Sequence, residues 1–233
     1  MADYSPLYNI KNFFDNRYCD ILNIKIKCIK GSIMRNTKED IKKQVIQMLK
    51  TTPITKIKVK DITDSLHIGR STFYLYFDSA YSVLQEIEDE YFAGLHNIHI
   101  NFWTNKLDPK YCEEPHPLFL ASLTYMHDNR DISNILWGPY GDPVFQIGCK
   151  RMIKEAFFPK NKAVELFPYD TELHTNFIIG GHMEIINRWL KNDHGVSPAS
   201  LACSMYFTMF TEVLHRMYPD VDFSKFFNSS MNK

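Results

Sequence analysis

Hydrogen-bonding side chains stand together at Arg70, Ser71 and Thr72, and phenol hydroxyls follow at Tyr74 and Tyr76. A guanidinium and small hydroxyls are groups that pair with base edges, and tyrosine hydroxyls commonly contact phosphates. No apolar residue interrupts the first three positions. Such a run is typical of a surface that recognises a polar partner, and it predicts binding rather than bond-making chemistry.

The stretch from Lys58 to Phe77 predicts the elements that hold these side chains. Apolar residues recur at helical spacing in its first half, at Val59, Ile62 and Leu66. Residues 67–69 break the pattern, and a second short run follows with Phe73 and Phe77 four residues apart. The pattern indicates a helix-turn-helix, whose second helix enters the major groove of DNA in proteins that bind it. The two phenylalanines are expected in the core.

The charge distribution supports a nucleic-acid partner. From Lys25 to Phe77, twelve Lys and Arg stand against four Asp and Glu, although the whole chain has no net charge. The rest of the chain is therefore acidic, and the basic block coincides with the helix-turn-helix. Helix-turn-helix geometry also occurs in proteins that never touch DNA, and lysine runs are often plain solvated surfaces. The coincidence of both features favours DNA binding.

The segment Ile62–Tyr74, ITDSLHIGRSTFY, followed by Tyr76, Phe77 and Leu84, resembles the DNA-binding signature of TetR-type transcriptional regulators. Three positions depart from the usual pattern. His67 stands where the family usually has Gly, Gly69 where it often has Ser, and Ala80 where it has a phosphate-contacting Lys. Histidine tolerates left-handed backbone better than most residues do, so the turn is retained. The expected DNA-binding residues are Lys58, Lys60, Gly69, Arg70, Ser71, Thr72, Tyr74 and Tyr76.

The resemblance implies an all-α fold, with an N-terminal three-helix helix-turn-helix head and a C-terminal helical body for ligand binding and dimerisation. We expect residues 1–35 to be an N-terminal extension, 36–80 the DNA-binding domain and 81–233 the effector-binding and dimerisation domain. Asn36 or Thr37 is expected to cap a first helix from Lys38 to Lys50. Further helices are predicted near residues 78–105, 118–127, 132–137, 143–158, 171–192 and 198–217, with Asp142 and Ser197 as caps before proline.

Aromatic residues gather in the middle of the predicted body. Their default place is the core. In this family the body also encloses an apolar effector pocket, and such pockets are lined by aromatic and aliphatic side chains. The candidate effector-binding residues are Phe102, Trp103, Phe119, Tyr125, Trp137, Tyr140 and Phe145.

The last two helices resemble a dimerisation region found in one subgroup of the family, which includes dihydroxyacetone-kinase operon regulators. Glycine in a helix interior costs about 1 kcal/mol relative to alanine, so Gly180 and Gly181 indicate either a close helix approach or a local kink. The candidate interface residues are Gly180, Gly181, Ile185, Trp189, Met205 and Met209.

Other chemistry finds little support in the sequence. The five cysteines lack C-x-x-C spacing, which favours thiols in a reducing cytosol over a zinc site. His96 and His99 have no third ligand at a diagnostic spacing, and His182 is expected to be a hydrogen-bonded histidine of the core or interface. No nucleotide-binding or hydrolase motif is present. We therefore expect no enzyme activity, metal or cofactor, and no membrane span or signal peptide.

The favoured interpretation is a cytoplasmic, homodimeric repressor that a small-molecule effector releases from a palindromic operator. The alternative is a helical co-regulator or binding protein that kept the head but lost specific DNA binding. The substitutions at His67 and Ala80 support this alternative.

Overall fold

The computed structural model describes residues 32–102, 108–157 and 171–223. Every regular element in these ranges is helical and none is a strand, which confirms the predicted all-α fold. The helices are α1 Ser32–Leu49, α2 Val59–Leu66, α3 Arg70–Tyr74, α4 Ala80–Phe102, α5 Pro117–Asp128, α6 Arg130–Leu136, α7 Pro143–Phe157, α8 Thr171–Lys191 and α9 Pro198–Met217. Short 3-10 helices span Ile54–Lys56 and Pro109–Cys112.

The chain forms two compact units. The first comprises Met1–Phe92 and Ile135–Lys160, and the second comprises Ala93–Asn134 and Asn161–Lys233. Helix α4 therefore begins in the first unit and ends in the second. The functional boundary at residue 80 and the N-terminal extension stay predictions, since residues 1–31 lie outside the described ranges.

The three N-terminal helices of the first unit share one core. Helix α2 packs against both α1 and α3. The apolar face of α1 is fully covered at Ile41, Val45 and Leu49, and Ile62 of α2 is as deeply buried. Apolar residues at helical spacing thus place one face of each helix in the core of the head, and the polar residues between them lie mainly on its surface.

Helix α1 begins six residues earlier than the sequence predicts, at Ser32 instead of Lys38. Asn36 and Thr37 therefore lie within the helix and do not cap it. The residues from Ser32 to Thr37 include neither Gly nor Pro, so nothing in them interrupts a helix.

Side-chain caps fix the starts of three helices. Ser79 and Ser82 exchange hydrogen bonds of 3.1 Å between hydroxyl and backbone N–H in the first turn of α4. Asp142 accepts from the backbone N–H of Val144 at 2.8 Å, and Ser197 accepts from that of Ser200 at 3.1 Å. The predicted caps at Asp142 and Ser197 are therefore confirmed, each before a proline that lacks the N–H.

In the second unit, α9 packs against α5 and against the 3-10 helix Pro109–Cys112. The C-terminus of α8 is closed by Arg130, whose guanidinium donates to the carbonyls of Trp189 at 2.9 Å and Leu190 at 2.5 Å. The same guanidinium lies 3.0 Å from the Asp193 carboxylate. Carbonyl groups at the C-terminus of a helix lack backbone partners. A guanidinium there donates hydrogen bonds to them and interacts favourably with the helix dipole.

Candidate nucleic-acid interface

A left-handed residue makes the turn between α2 and α3. His67 has φ 53° and ψ 39°, as the sequence predicted for a histidine in the usual glycine position. Its N–H donates to Asp64 O at 3.3 Å, and the N–H of Ile68 donates to Thr63 O at 3.0 Å. These two bonds form a Schellman motif, which ends α2 and turns the chain towards α3.

The start of α2 is also held locally. The Asp61 carboxylate accepts from the backbone N–H of Lys58 at 3.3 Å, and Thr63 donates to Lys60 O at 3.0 Å. Thr63 is buried, while Lys58 and Lys60 are exposed. The two lysines therefore project from a helix start at which Asp61 caps the Lys58 N–H.

Helix α3 separates a buried side from a polar exposed side. Phe73 is wholly buried and Phe77 nearly so, with ring centroids 6.0 Å apart, which confirms both as core residues. Among the predicted DNA-binding residues, Gly69, Arg70 and Ser71 are exposed, and Thr72 is half-buried. The anchored phenylalanines leave the polar residues of the first turn on the surface.

The two predicted phosphate-binding tyrosines differ in exposure. Tyr74 is 54% exposed and packs edge-on against Phe73 at 5.6 Å, whereas Tyr76 is half-buried. The structure thus places all eight predicted DNA-binding residues on α2, α3 and their flanks, each at least partly accessible. Their contacts with DNA stay predictions.

Leu75 lies beside Tyr74 and is 72% exposed, although it was not predicted to be part of this surface. A leucine in a helical pattern is usually assigned to the core, so its type gave no signal. Its position at the end of a short helix, between two tyrosines, could have indicated that it is exposed. An apolar side chain on such a surface can contact thymine methyl groups.

Two of the basic residues in the head are paired with carboxylates. Lys42 is buried, and its Nζ lies 2.7 Å from Glu39 and 2.9 Å from both carboxylate oxygens of Glu90 on α4. Lys38 lies 2.6 Å from Glu86, also on α4. Burial alone would lower the pKa of Lys42, but hydrogen bonds to Glu39 and Glu90 outweigh it and raise that pKa. These ion pairs join α1 to α4, so part of the basic charge in the head is neutralised within it.

The predicted effector residues are not gathered within one unit. Trp137, Tyr140 and Phe145 belong to the first unit, where Trp137 and Phe145 are buried with ring centroids 5.8 Å apart. Phe119 and Tyr125 belong to the second unit. The side chains of Phe102 and Trp103 lie outside the described part of the chain.

A groove in the second unit runs along one face of α5. It has a volume of about 500 Å³ and is lined by Pro115, Pro117, Leu120, Ala121, Thr124, Tyr125 and Asp128. Tyr125 is the predicted effector residue in this lining. Phe119 is instead buried against His116 and Tyr206, at centroid distances of 5.6 and 6.1 Å, so it serves as core.

The predicted dimer residues divide between surface and core. Gly180, Gly181 and Ile185 are exposed on α8, and a Cβ added at either glycine would meet nothing within 4 Å. Trp189, Met205 and Met209 are buried within one chain, because α8 and α9 use their apolar faces in the core of the second unit. The exposed face of α8 also includes Leu173 and Phe177, which are 68% and 79% exposed and were not among the predicted interface residues.

Two histidines of the second unit, His99 and His182, are buried. His182 is buried, with Nδ1 2.7 Å from Ile178 O and Nε2 3.0 Å from Thr208 Oγ1, so it is the predicted hydrogen-bonded histidine. Burial and the neighbouring His96 lower the pKa of His99 to about 4. The described residues contain no group of three or more His, Cys, Asp or Glu arranged to hold a metal ion. They also contain no helix long and apolar enough to cross a membrane.

Comparisons with known proteins agree with this geometry. The family model of TetR type described as "Transcriptional regulator C-terminal region" matches residues 113–211. A Bacillus subtilis (strain 168) protein described as an uncharacterized HTH-type transcriptional regulator, YxbF, is 18% identical over 162 residues. The match covers 70% of this chain and only 42% of that relative.

Two solved structures share the fold. The fatty acid degradation regulator FadR from Bacillus halodurans superposes with a TM-score of 0.53 at 14% identity, covering 78% of this chain and 96% of that one. A TetR transcriptional regulator from Streptococcus agalactiae 2603V gives a TM-score of 0.50 at 21% identity, covering 76% and 94%. In its helix-turn-helix head, its matched C-terminal region and its fold, the chain is thus similar to TetR-type transcriptional regulators.

Proposed function

We propose that the chain is a cytoplasmic, homodimeric repressor that binds a palindromic DNA operator and releases it when a small molecule binds. The observation that carries the DNA-binding part is the exposed polar first turn of α3, set on a fully buried Phe73. Rigid support from the core fixes the direction of Arg70, Ser71 and Thr72, which a base-reading surface needs.

Roles within the head follow from exposure and chemistry. Arg70 is assigned to a base edge, since its guanidinium can make two parallel hydrogen bonds to guanine. Lys58, Lys60, Tyr74 and Tyr76 are assigned to phosphates, which orient the head without reading sequence. Gly69 lets the backbone approach closely, because it adds no side chain.

In the proposed dimer, the exposed face of α8 contacts the second copy of the chain. Leu173 and Phe177 are large apolar residues on the surface of one chain, and Gly180 and Gly181 lie beside them with open space around their Cα atoms. A two-fold pairing of this face would cover the apolar side chains and let the helices approach closely. Dimerisation sets the spacing of two heads, so it is required for a two-half-site operator.

The effector is assigned to the α5 groove of the second unit. Its lining is mainly apolar at Pro117, Leu120 and Ala121, with Tyr125 and Asp128 at polar positions. The groove therefore suits a largely apolar small molecule with a polar end. Helix α4 extends from this unit into the first one, which offers a route by which a ligand could bias the heads.

The test is a fluorescence anisotropy titration of the full chain against the DNA upstream of its own gene and against a scrambled duplex, at several salt concentrations. The wild type is expected to prefer the upstream duplex. Arg70→Ala should lose about 1–3 kcal/mol of that specific binding, because it removes a bidentate base contact. Tyr74→Phe should weaken both duplexes alike, since phosphates carry no sequence.

Lys150→Ala is the matched control, because Lys150 is an exposed cation of α7 outside the head. It should leave specific binding unchanged. Equal affinity of the wild type for both duplexes would support the alternative of a co-regulator without specific DNA binding. One observation favours that alternative: Ala80 is buried at the start of α4, so this position offers no phosphate contact.

A further inference from the structure

The segment from Asp108 to Glu113 lies along one face of α9 and is fixed to it at both ends. At one end, the backbone N–H of Asp108 donates to the Tyr206 hydroxyl at 2.9 Å. At the other end, the Cys203 thiol donates to the carbonyl of Glu113 at 3.4 Å. Cys203 and Tyr206 are three residues apart on α9 and therefore neighbours on its surface.

Cys112 lies between these two anchors. It directly precedes Glu113 and closes the 3-10 helix Pro109–Cys112, in which Tyr111 packs against Tyr206 with ring centroids 5.4 Å apart. Burial raises the pKa of the Tyr206 hydroxyl, and the nearby Cys112 sulfur adds to the rise. Cys112 is the sequence neighbour of Glu113, and Cys203 is the hydrogen-bond partner of Glu113, so both cysteines lie at the same end of the contact between this segment and α9.

We propose that Cys112 and Cys203 are an oxidative modification site, and that a peroxide converts the pair to a disulfide. Both carry thiols in the structure, and both are half-buried, so a small oxidant can reach them. This inference concerns the second unit alone and does not rest on the proposed DNA binding.

The chemistry needs one peroxide for each pair. One thiolate attacks a peroxide oxygen, the O–O bond breaks, and the sulfur becomes a sulfenic acid while the other oxygen leaves as water after taking a proton. The second thiolate then attacks the sulfenic sulfur, the S–S bond forms as the S–O bond breaks, and the leaving hydroxide takes a proton and becomes a second water. Two thiols are oxidised, and the peroxide is reduced to two waters.

Cys149 provides a contrast inside the same chain. It is only 1% exposed on α7, and burial together with the nearby Glu88 raises its pKa far above the usual value. The thiolate is the reactive form of cysteine, so this residue is protected both by access and by charge. It therefore serves as the matched control.

The test uses the full chain, reduced and then treated with hydrogen peroxide at equal concentration. Remaining thiols are blocked by alkylation, and the protein is digested without reductant for mass spectrometry. We expect one intramolecular cross-linked peptide pair that contains Cys112 and Cys203, reversed by dithiothreitol. Cys149→Ser should form the same pair, whereas Cys112→Ser and Cys203→Ser should not.

The wild-type map alone decides the outcome, so it does not depend on how well a variant folds. Recovery of Cys112 and Cys203 as alkylated peptides after treatment would overturn the proposal. So would cross-links that join either residue only to Cys19, to Cys28 or to a second chain.

Discussion

At the scale of single residues, the turn of the head depends on a histidine in left-handed backbone conformation. Non-glycine residues pay a steric cost at such φ values, and glycine does not. His67 has an exposed side chain, so its removal should cost little packing. We expect His67→Gly to raise the free energy of unfolding by roughly 0.5–1 kcal/mol, measured by urea denaturation.

His67→Val is the opposite control, since a β-branched residue is strained most in this conformation. It should be less stable than the wild type. If the glycine variant loses stability and the valine variant keeps it, the left-handed turn assigned to residue 67 is wrong.

His116 should make stability depend on pH. It is buried, stacks on Tyr206 at 5.4 Å, and accepts from the Leu118 N–H at 3.3 Å as the cap of α5. Burial lowers its pKa from 6.5 to about 4. Between about pH 6.5 and pH 4, His116 is protonated in the unfolded chain but neutral in the folded one. The free energy of unfolding therefore falls as the pH falls through this window, by no more than about 3 kcal/mol from this residue.

His116→Asn separates this effect from the cap. Asparagine can still accept the Leu118 N–H, but it does not titrate in this range. Urea denaturation from pH 7.5 to 4.5 should therefore show a shallower loss for the variant than for the wild type. His96 and His99 also have lowered pKa values from burial, so a residual slope is expected. Identical slopes for both proteins would show that the pKa of His116 is the same in the folded and the unfolded chain, which would contradict this prediction.

At the scale of elements, a buried lysine ties α1 to α4. Lys42 meets carboxylates from both helices, at Glu39 and Glu90. Its replacement by methionine keeps the aliphatic stem but leaves these carboxylates facing one another. Because the two glutamates are partly exposed, at 50% and 59%, we expect a loss of about 1–3 kcal/mol, below that for a fully buried pair.

Lys43→Met is the matched control, since Lys43 is the next residue on α1 and is exposed. It should change the melting temperature little. The Lys42→Met deficit should shrink in 1 M salt, because salt screens the repulsion among exposed carboxylates. Equal melting temperatures for the two variants would remove Lys42 from the coupling of α1 to α4.

At the scale of the whole molecule, the proposed dimer can be tested without touching the DNA-facing residues. Gly181 has open space around it in one chain, so Gly181→Leu should fold and even gain helix propensity of about 1 kcal/mol. Against a closely packed second copy, the same side chain would cost roughly 1–3 kcal/mol. Sedimentation should therefore show a shift to monomer, with weaker operator binding.

Phe177→Ser tests the same face by removing apolar area, and Val144→Ser is its control. Both residues are exposed apolar side chains, at 79% and 62%, but Val144 lies on α7. The control should sediment as the wild type does. A Gly181→Leu and a Phe177→Ser protein that both remain dimeric would exclude the α8 face as the interface.

Local patterns account for what the sequence predicted. The turn at His67, the buried Phe73 and the caps at Asp142 and Ser197 depend on neighbours within a few residues, and all were found as predicted. The early start of α1 was missed because its first residues give no strong signal in either direction.

Contacts between distant parts of the chain could not be predicted in the same way. Lys42 and Glu90 are 48 residues apart, and no periodicity relates them. Trp189 and Met205 show why an apolar stripe is ambiguous: the sequence shows that a face is covered, but not whether the same chain or a second copy covers it. The aromatic residues proposed for the effector had the composition of a pocket, but within each unit they are used mainly as core.

The left-handed turn also has an evolutionary consequence. The codons for histidine differ by one base from those for asparagine and aspartate, the other residues that tolerate this backbone conformation well. Glycine codons are two bases away. A lineage that carries His67 can therefore drift among three residues that preserve the turn at φ 53°, and glycine lies one further base beyond aspartate, so the turn can be kept at every step.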